Sequence, residues 1–228
     1  MPKAAFIQKM FDDISFKYDL LNDVLSFGSH RFWKRKFVKQ ALKLKPQNVL
    51  DCATGTGDIA FLLEKAQVKN IQGIDFSSNM ISVAKSKALQ RKSICNFTVA
   101  DIQTLPFSDK HFDVATISFG IRNTENLSKA LKELNRVSKN LLVLEFGKPE
   151  SKLFSQFYFF ILKIYFPIFA KISGRPDAYD YLITSSKEFP SGATFIQLLR
   201  ENTNFKKLYC EPLFGGIAYI YIAKSEEL

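Results

Sequence analysis

The sequence predicts an α/β protein with a mostly parallel sheet covered by helices on both faces. Three observations carry this. Short apolar runs alternate with helix-length segments from Asn48 to Phe146. The first three of these runs each lead into an acid, Asp51, Asp75 and Asp101. A glycine turn, Gly55-Thr56-Gly57, follows the first acid and leads directly into a helical pattern. Strands that alternate with helices of this length argue for βαβ units and a parallel sheet.

Residues Met1 to Lys45 read as helical, with Phe6, Met10, Ile14, Tyr18, Leu21 and Leu25 at three- and four-residue spacing until Gly28 breaks the pattern. The spacing then predicts strands at Val49–Cys52, Ile71–Ile74, Cys95–Val99, Phe112–Ser118 and Leu141–Phe146. Helices are predicted at Ile59–Ala66, Ser78–Leu89 and Leu127–Val137. Leu153 to Ala170 is an aromatic run whose length approaches a membrane span, but Lys163 and Pro167 interrupt it. It reads as a core or cap helix, or as an apolar cap touching a greasy ligand or a bilayer surface. A helix over Ala193–Glu201 and two strand-like segments, Phe205–Tyr209 and Ile217–Ala223, close the pattern. The short connection between those segments predicts an antiparallel hairpin at a sheet edge.

At 228 residues the chain is long enough for one large domain, and no repeat or low-complexity tract divides it. Cys52, Cys95 and Cys210 lie far apart without metal-ligand spacing, so no metal is expected. Cys52 and Cys95 read as small buried hydrophobes, which suits a reducing cytoplasm. Met1 to Lys17 lacks the apolar centre of a signal peptide. The formal net charge is +10, and Arg31, Lys34, Arg35, Lys36, Lys39, Lys43 and Lys45 form a basic stretch. Such a stretch suits nucleic acid or an anionic membrane surface, or is simply a solvated helix face.

The three acids fall where an open α/β sheet binds ligands, at the C-terminal ends of its strands. Glycines in the turn let a ligand lie against the main chain. Gly55, Gly57 and Ala60 fit a dinucleotide site about as well as a nucleoside site. Asp75, 24 residues beyond Asp51, is placed to accept from two ribose hydroxyls. Asp101 with Ile102 suits an adenine amine and ring face. Each acid alone is also an ordinary turn or N-cap residue.

Leu50-Asp51-x-Ala53-x-Gly55-Thr56-Gly57, followed by Asp75, Ala100-Asp101 and Phe112-Asp113, resembles the motifs of class I S-adenosylmethionine-dependent methyltransferases. Three further segments narrow the resemblance. They run from Phe11-Asp12 through His30-Arg31-x-Trp33-Lys34, from Ser118 to Asn123, and from Leu144 to Pro149. With Phe189-Pro190 and Gly215-Gly216-Ile217-Ala218, they make the chain similar to the ubiquinone/menaquinone biosynthesis C-methyltransferase family. That resemblance implies a Rossmann-like single domain with a mostly parallel seven-stranded sheet and an antiparallel C-terminal strand. It also implies an N-terminal helical cap over 1–45 and an aromatic helical insertion over 153–185.

Two places depart from the family pattern. Arg136 to Asn140 replaces a Pro-Gly-Gly turn, so the helix should run almost directly into the next strand. Asn204 replaces a glycine, and a left-handed conformation is expected there.

The resemblance implies S-adenosylmethionine as cofactor, lined by Thr56, Asp75, Asp101, Ile102 and Ser118. Gly55 and Gly57 would admit the methionine part. Asp51 would accept from an amide or, through water, from the methionine ammonium. The implied substrate is a polyprenylated hydroquinone: demethylmenaquinol, 2-methoxy-6-polyprenyl-1,4-benzoquinol, or both. An aromatic carbon attacks the methyl group once a phenolic proton is lost, so orientation and phenolate stabilisation are the tasks.

Arg122 and Asn123 are the candidates for that work, Arg122 as an electrostatic partner because it stays protonated. Glu145 is an alternative ion-pair partner for Arg122. His30 is a candidate base or a packing residue. Tyr18 and Trp33 suit packing over the substrate or, more simply, the core. The insoluble tail implies peripheral contact with the inner face of the membrane from a cytoplasmic protein. Contact with other quinone-biosynthesis enzymes and a homodimer are left open, and no nucleic acid is expected.

Competing readings lack their signatures. An NAD-dependent oxidoreductase would want a Tyr-x-x-x-Lys pair after the fourth strand, and none is there. An amino-group RNA methyltransferase would carry Asn/Asp-Pro-Pro-Tyr, where 118–123 reads Ser-Phe-Gly-Ile-Arg-Asn. Another small apolar substrate, or an RNA, is the alternative for a methyltransferase. A lipid-binding protein would not need three aligned acids.

Overall fold

Val49 and Leu50 are neighbours in sequence but pack on opposite faces of one sheet, and Leu141 to Leu144 alternate in the same way. Both faces are therefore core, as a helix-covered parallel sheet requires. The computed structural model describes residues 28–173 and 176–225, with the backbone alone at 165–173, 176–180 and 182.

Helix α1 spans His30–Leu42, after a turn in which Gly28 takes a φ of 77°. The sheet begins with β1 (Asn48–Cys52), α2 (Asp58–Lys65), β2 (Asn70–Asp75), α3 (Ser78–Arg91) and β3 (Asn96–Val99). It continues with β4 (Phe112–Ser118), a 3₁₀ turn (Ile121–Asn123), α4 (Leu127–Val137) and β5 (Ser138–Phe146). Two helices follow, α5 (Lys152–Ser173) and α6 (Pro176–Glu188). Then come α7 (Ala193–Asn202), β6 (Lys207–Leu213), a 3₁₀ turn (Phe214–Gly216) and β7 (Ala218–Lys224).

The strand order is β3-β2-β1-β4-β5-β7-β6. Strands β1 to β5 pair in parallel, and β7 pairs antiparallel with both β5 and β6. The seven strands, the parallel sheet and the C-terminal hairpin agree with the sequence reading. Helix α4 does run directly into β5, from Val137 to Ser138. The Ser138 hydroxyl caps the junction by donating to the Leu134 carbonyl at 2.7 Å.

Two expectations fail. Asn204 does not have a positive φ; the chain leaves α7 through Thr203, whose hydroxyl donates to the Leu199 carbonyl at 2.6 Å. Strand β6 starts at Lys207 and runs to Leu213 instead of occupying 205–209. Phe205 is buried under the sheet ahead of the strand. Pro212 is tolerated because β6 is the edge strand. Of the helical cap expected over 1–45, only Gly28 onward is described; Phe6, Met10, Ile14, Tyr18, Leu21 and Leu25 lie outside the described residues.

Candidate functional site

The chain builds β1, β2 and β3 outward in one direction and then returns to lay β4 on the other side of β1. That reversal opens a crevice at the C-terminal ends of β1 and β4, where ligands of such sheets bind. A cavity lies there, walled by four loops. Ala53 and Gly55 come from the first, Asp75 to Ser77 with Met80 from the second, and Ala100 to Gln103 from the third. Phe119, Gly120 and Asn123 to Glu125 form the fourth.

The glycine turn is fixed by close contacts. Gly57 has a φ of 92°, and a Cβ there would stand 2.7 Å from Phe61 Cε2 and 3.0 Å from Phe97 Cζ. Gly55 donates its N–H to Asp75 Oδ2 at 2.8 Å, and Ser77 donates its N–H to Oδ1 at 2.9 Å. The second strand's acid therefore grips the first strand's turn. Ala53 and Phe119, which follow the ends of β1 and β4, have φ of 48° and 57°. Positive φ on residues other than glycine is costly and tends to cluster at working sites. Gly120 is needed between them, because a Cβ there would stand 2.3 Å from Ala53 Cβ.

Asp51 is 1% exposed. Its carboxylate accepts from the Thr54 hydroxyl at 2.6 Å and from the Thr116 hydroxyl at 2.8 Å, and the Ala60 backbone amide also bonds it. Burial pushes its pKa up to about 6, against the pull of those hydroxyls and of Lys34. Asp101 holds its own loop, accepting the Gln103 N–H at 2.8 Å. Thr56 is buried, and its hydroxyl accepts from Lys87 Nζ at 2.7 Å.

The expected cofactor residues fall into two groups. Gly55, Asp75, Asp101 and Ile102 line the large cavity, as does Asn123. Asp51, Thr56 and Ser118 line a smaller polar one that adjoins it, again with Gly55. Gly57 shapes the turn between them.

Arg122 is buried and ion-paired with the equally buried Glu145. It also donates from Nη1 to the Phe119 carbonyl at 3.1 Å, and its guanidinium lies 5.5 Å from the centre of the Phe146 ring. Burial lifts the Glu145 carboxyl above its ordinary range, with Arg122 pulling the other way. Arg122 Nε and Nη2 are buried without acceptors among the described residues. Arg122 does not line the cavity at the ends of β1 and β4. It lines another across the 3₁₀ turn, with Tyr181 and Glu188 of α6. Asn123 connects the two sides: its Oδ1 accepts from the Tyr181 hydroxyl at 2.9 Å, which leaves its amide nitrogen as a donor.

His30 is buried at the start of α1, within electrostatic reach of Asp58, and does not line the cavity. Trp33 packs edge-on to Phe146, so the core role applies. Tyr18 lies outside the described residues.

Sequence reasoning missed Lys34, Thr54, Thr116 and Tyr181. Lys34 was hidden in a basic run, yet it is 7% exposed and bonded to Asp58 at 2.8 Å. Thr54 was visible as the hydroxyl residue preceding the glycine turn. Thr116 and Tyr181 carry no local signal.

A model of the ubiE/COQ5 methyltransferase family matches residues 2–225. The ubiquinone/menaquinone biosynthesis C-methyltransferase UbiE of Bdellovibrio bacteriovorus is 40% identical over 225 residues, covering 96% of each chain. The protein of the same name from Rickettsia bellii is 39% identical over 232 residues, covering 97% of this chain and 93% of its own. Among solved structures, an S-adenosylmethionine-dependent methyltransferase of Thermotoga maritima superposes with a TM-score of 0.68. It shares 18% identity and covers 96% of this chain and 99% of its own, a likeness of fold.

Proposed function

The chain belongs to the ubiE/COQ5 methyltransferase family, and from that membership we propose the reaction and the roles of its residues. It is an S-adenosylmethionine-dependent methyltransferase. It methylates a ring carbon of a polyprenylated hydroquinone in respiratory quinone biosynthesis, demethylmenaquinol or 2-methoxy-6-polyprenyl-1,4-benzoquinol or both. The observation that carries this reading is the junction of the acid-lined crevice with the Ile121–Asn123 turn. Asp75 and Asp101 suit the ribose and adenine of a nucleoside, with Ile102 against the ring.

Asn123 offers its amide nitrogen to a phenolic oxygen. Arg122 presents two buried donors without acceptors, a state costing about 1–3 kcal/mol per group that an incoming phenolate would relieve. Loss of the phenolic proton places charge on the neighbouring ring carbon; S-adenosylmethionine, held by Asp75, Asp101 and Ile102, would supply the methyl group to that carbon and leave as the neutral thioether. The ring then sheds its own proton to regain aromaticity. The protein's share is to align the two reactants and hold the developing charge.

We read the chain as one domain, with 1–45 as a helical cap and 153–185 as an insertion. Leu153, Phe157, Phe160 and Ile164 form an exposed stripe on α5, 79%, 58%, 62% and 53% accessible. Among the described residues no helix is long and apolar enough to cross a membrane. The stripe and the exposed basic side chains of α1 support peripheral docking on an anionic surface, where the substrate's tail resides.

The test is direct: purified protein, S-adenosylmethionine and short-tailed demethylmenaquinol or methoxy-benzoquinol, with products read by mass spectrometry. Methylated quinol is expected. Methylation of another acceptor and of neither quinol would overturn the reading.

A further inference from the structure

The smaller polar cavity shares Ala53, Gly55 and Phe119 with the large one, so the two adjoin. Its chemistry is unlike that of its neighbour. Asp51 and Asp58 face it with Thr54, Thr56 and Ser118, and Lys34 is the one cationic side chain among the described residues lining it. Lys34 arrives from α1, outside the sheet and its loops. Its companions Arg31, Arg35 and Lys39 are exposed, whereas Lys34 is buried.

Burying an ammonium is costly, and Asp58 offsets the cost at 2.8 Å. Burial works against ionisation of Asp58, but attraction to Lys34 and a hydrogen bond from it bring that carboxyl below its ordinary value. The Ser118 hydroxyl, at the end of β4, is buried without a hydrogen-bond partner among the described residues. Buried polar groups of this kind call for a partner.

A cavity with a cation and a hydroxyl beside a carboxylate suits a zwitterion. The amino-acid end of S-adenosylmethionine is one, carrying an ammonium and a carboxylate on the same carbon. Asp51 suits the ammonium. We propose that Lys34 clamps the cofactor's carboxylate, with the Ser118 hydroxyl as second donor. This assignment rests on the cofactor reading above. Lys34 keeps its contact with Asp58 throughout, because Coulomb attraction in a dry site acts on every nearby charge. Helix α1 thereby becomes part of the cofactor site, and the enzyme selects for an intact amino-acid tail.

The experiment compares S-adenosylmethionine with its decarboxylated analogue, which keeps the sulfonium and amine and lacks only the carboxylate. Calorimetry on the parent should show a preference of about tenfold or more for the intact cofactor. Lys34→Met should lose about tenfold for the intact cofactor, change by less than about threefold for the analogue, and so erase the preference. Lys34→Arg should keep most of it. Should Lys34→Met fail to fold, Lys34→Met with Asp58→Asn removes both charges of the pair and is read in the same way. Equal binding of the two ligands by the parent overturns the clamp, as does equal weakening of both by Lys34→Met. Binding of neither ligand by the parent overturns the cofactor reading beneath it.

Discussion

Replacing Asp51 with Asn should make the protein more stable, and the gain should depend on pH in a calculable way. Asp51 is 1% exposed and titrates near 6 instead of its ordinary 3.8. Burial is the main cause, and it penalises the charged form. A raised carboxyl means that the folded protein keeps a proton the unfolded chain has lost. Stability from this group is therefore full below pH 3.8, falls as pH climbs through 6, and then levels off. Each pH unit is worth about 1.4 kcal/mol, so the penalty grows from about 1.5 kcal/mol at pH 5 to about 3 kcal/mol above pH 7.

Asn abolishes that titration while its amide can still bond both threonine hydroxyls. Any packing change that Asn brings is the same at every pH, so the growth of the gap isolates the charge. Urea denaturation of parent and variant from pH 5 to 8 measures it. The expected result is a stability difference widening by about 1.5 kcal/mol in favour of Asn, a melting shift of about 3–6 °C for a chain of this size. A flat difference, or one widening toward acid, would refute the reasoning. Cofactor affinity should move the opposite way, because the proposed ammonium partner is neutralised; such trades are common at working sites.

Other outcomes follow from the same geometry. Arg122→Met should leave Glu145 buried without its counter-ion, costing about 3–5 kcal/mol in denaturant unfolding. Arg122→Met with Glu145→Met should recover most of that stability and none of the turnover, which separates fold from reaction. Asp75→Ala should raise the dissociation constant for S-adenosylmethionine by about tenfold or more in calorimetry, since it loses a charged acceptor and frees the Gly55 amide. Gly57→Ala should cost about 1–3 kcal/mol, combining a φ of 92° with a clash at 2.7 Å against Phe61; thermal melting reads it. Tyr181→Phe should lower kcat more than it raises KM, because Asn123 loses the donor that sets its amide.

The sheet was legible because alternation and turn chemistry are local. Gly55-Thr56-Gly57 and the three acids could be placed at strand ends from spacing alone. Their partners could not. The hydroxyl that completes the Asp51 contact belongs to Thr116, 65 residues away. Glu145 could be suggested as a partner for Arg122, but not the depth at which both are sealed. Lys34 was the clearest miss. Lysine in a basic run is ordinarily solvated, and only the approach of α1 to the glycine turn makes one of them interior. Strand β6 was misplaced because Phe205 looks like a strand residue, yet it serves the core before the strand begins.

The order of the last three strands bears on how the chain is made. Strand β5 carries Leu141 to Leu144 and has β7, not β6, as its neighbour. While the ribosome is still adding residues up to Lys224, that edge of β5 has no mate. It is an apolar strand with open amides, the kind of surface that captures strands from other chains. The nascent protein therefore passes through an interval in which five strands can form and the sheet cannot close. A chaperone holding β5, or slow translation before β6, would bear most heavily on yield at that stage.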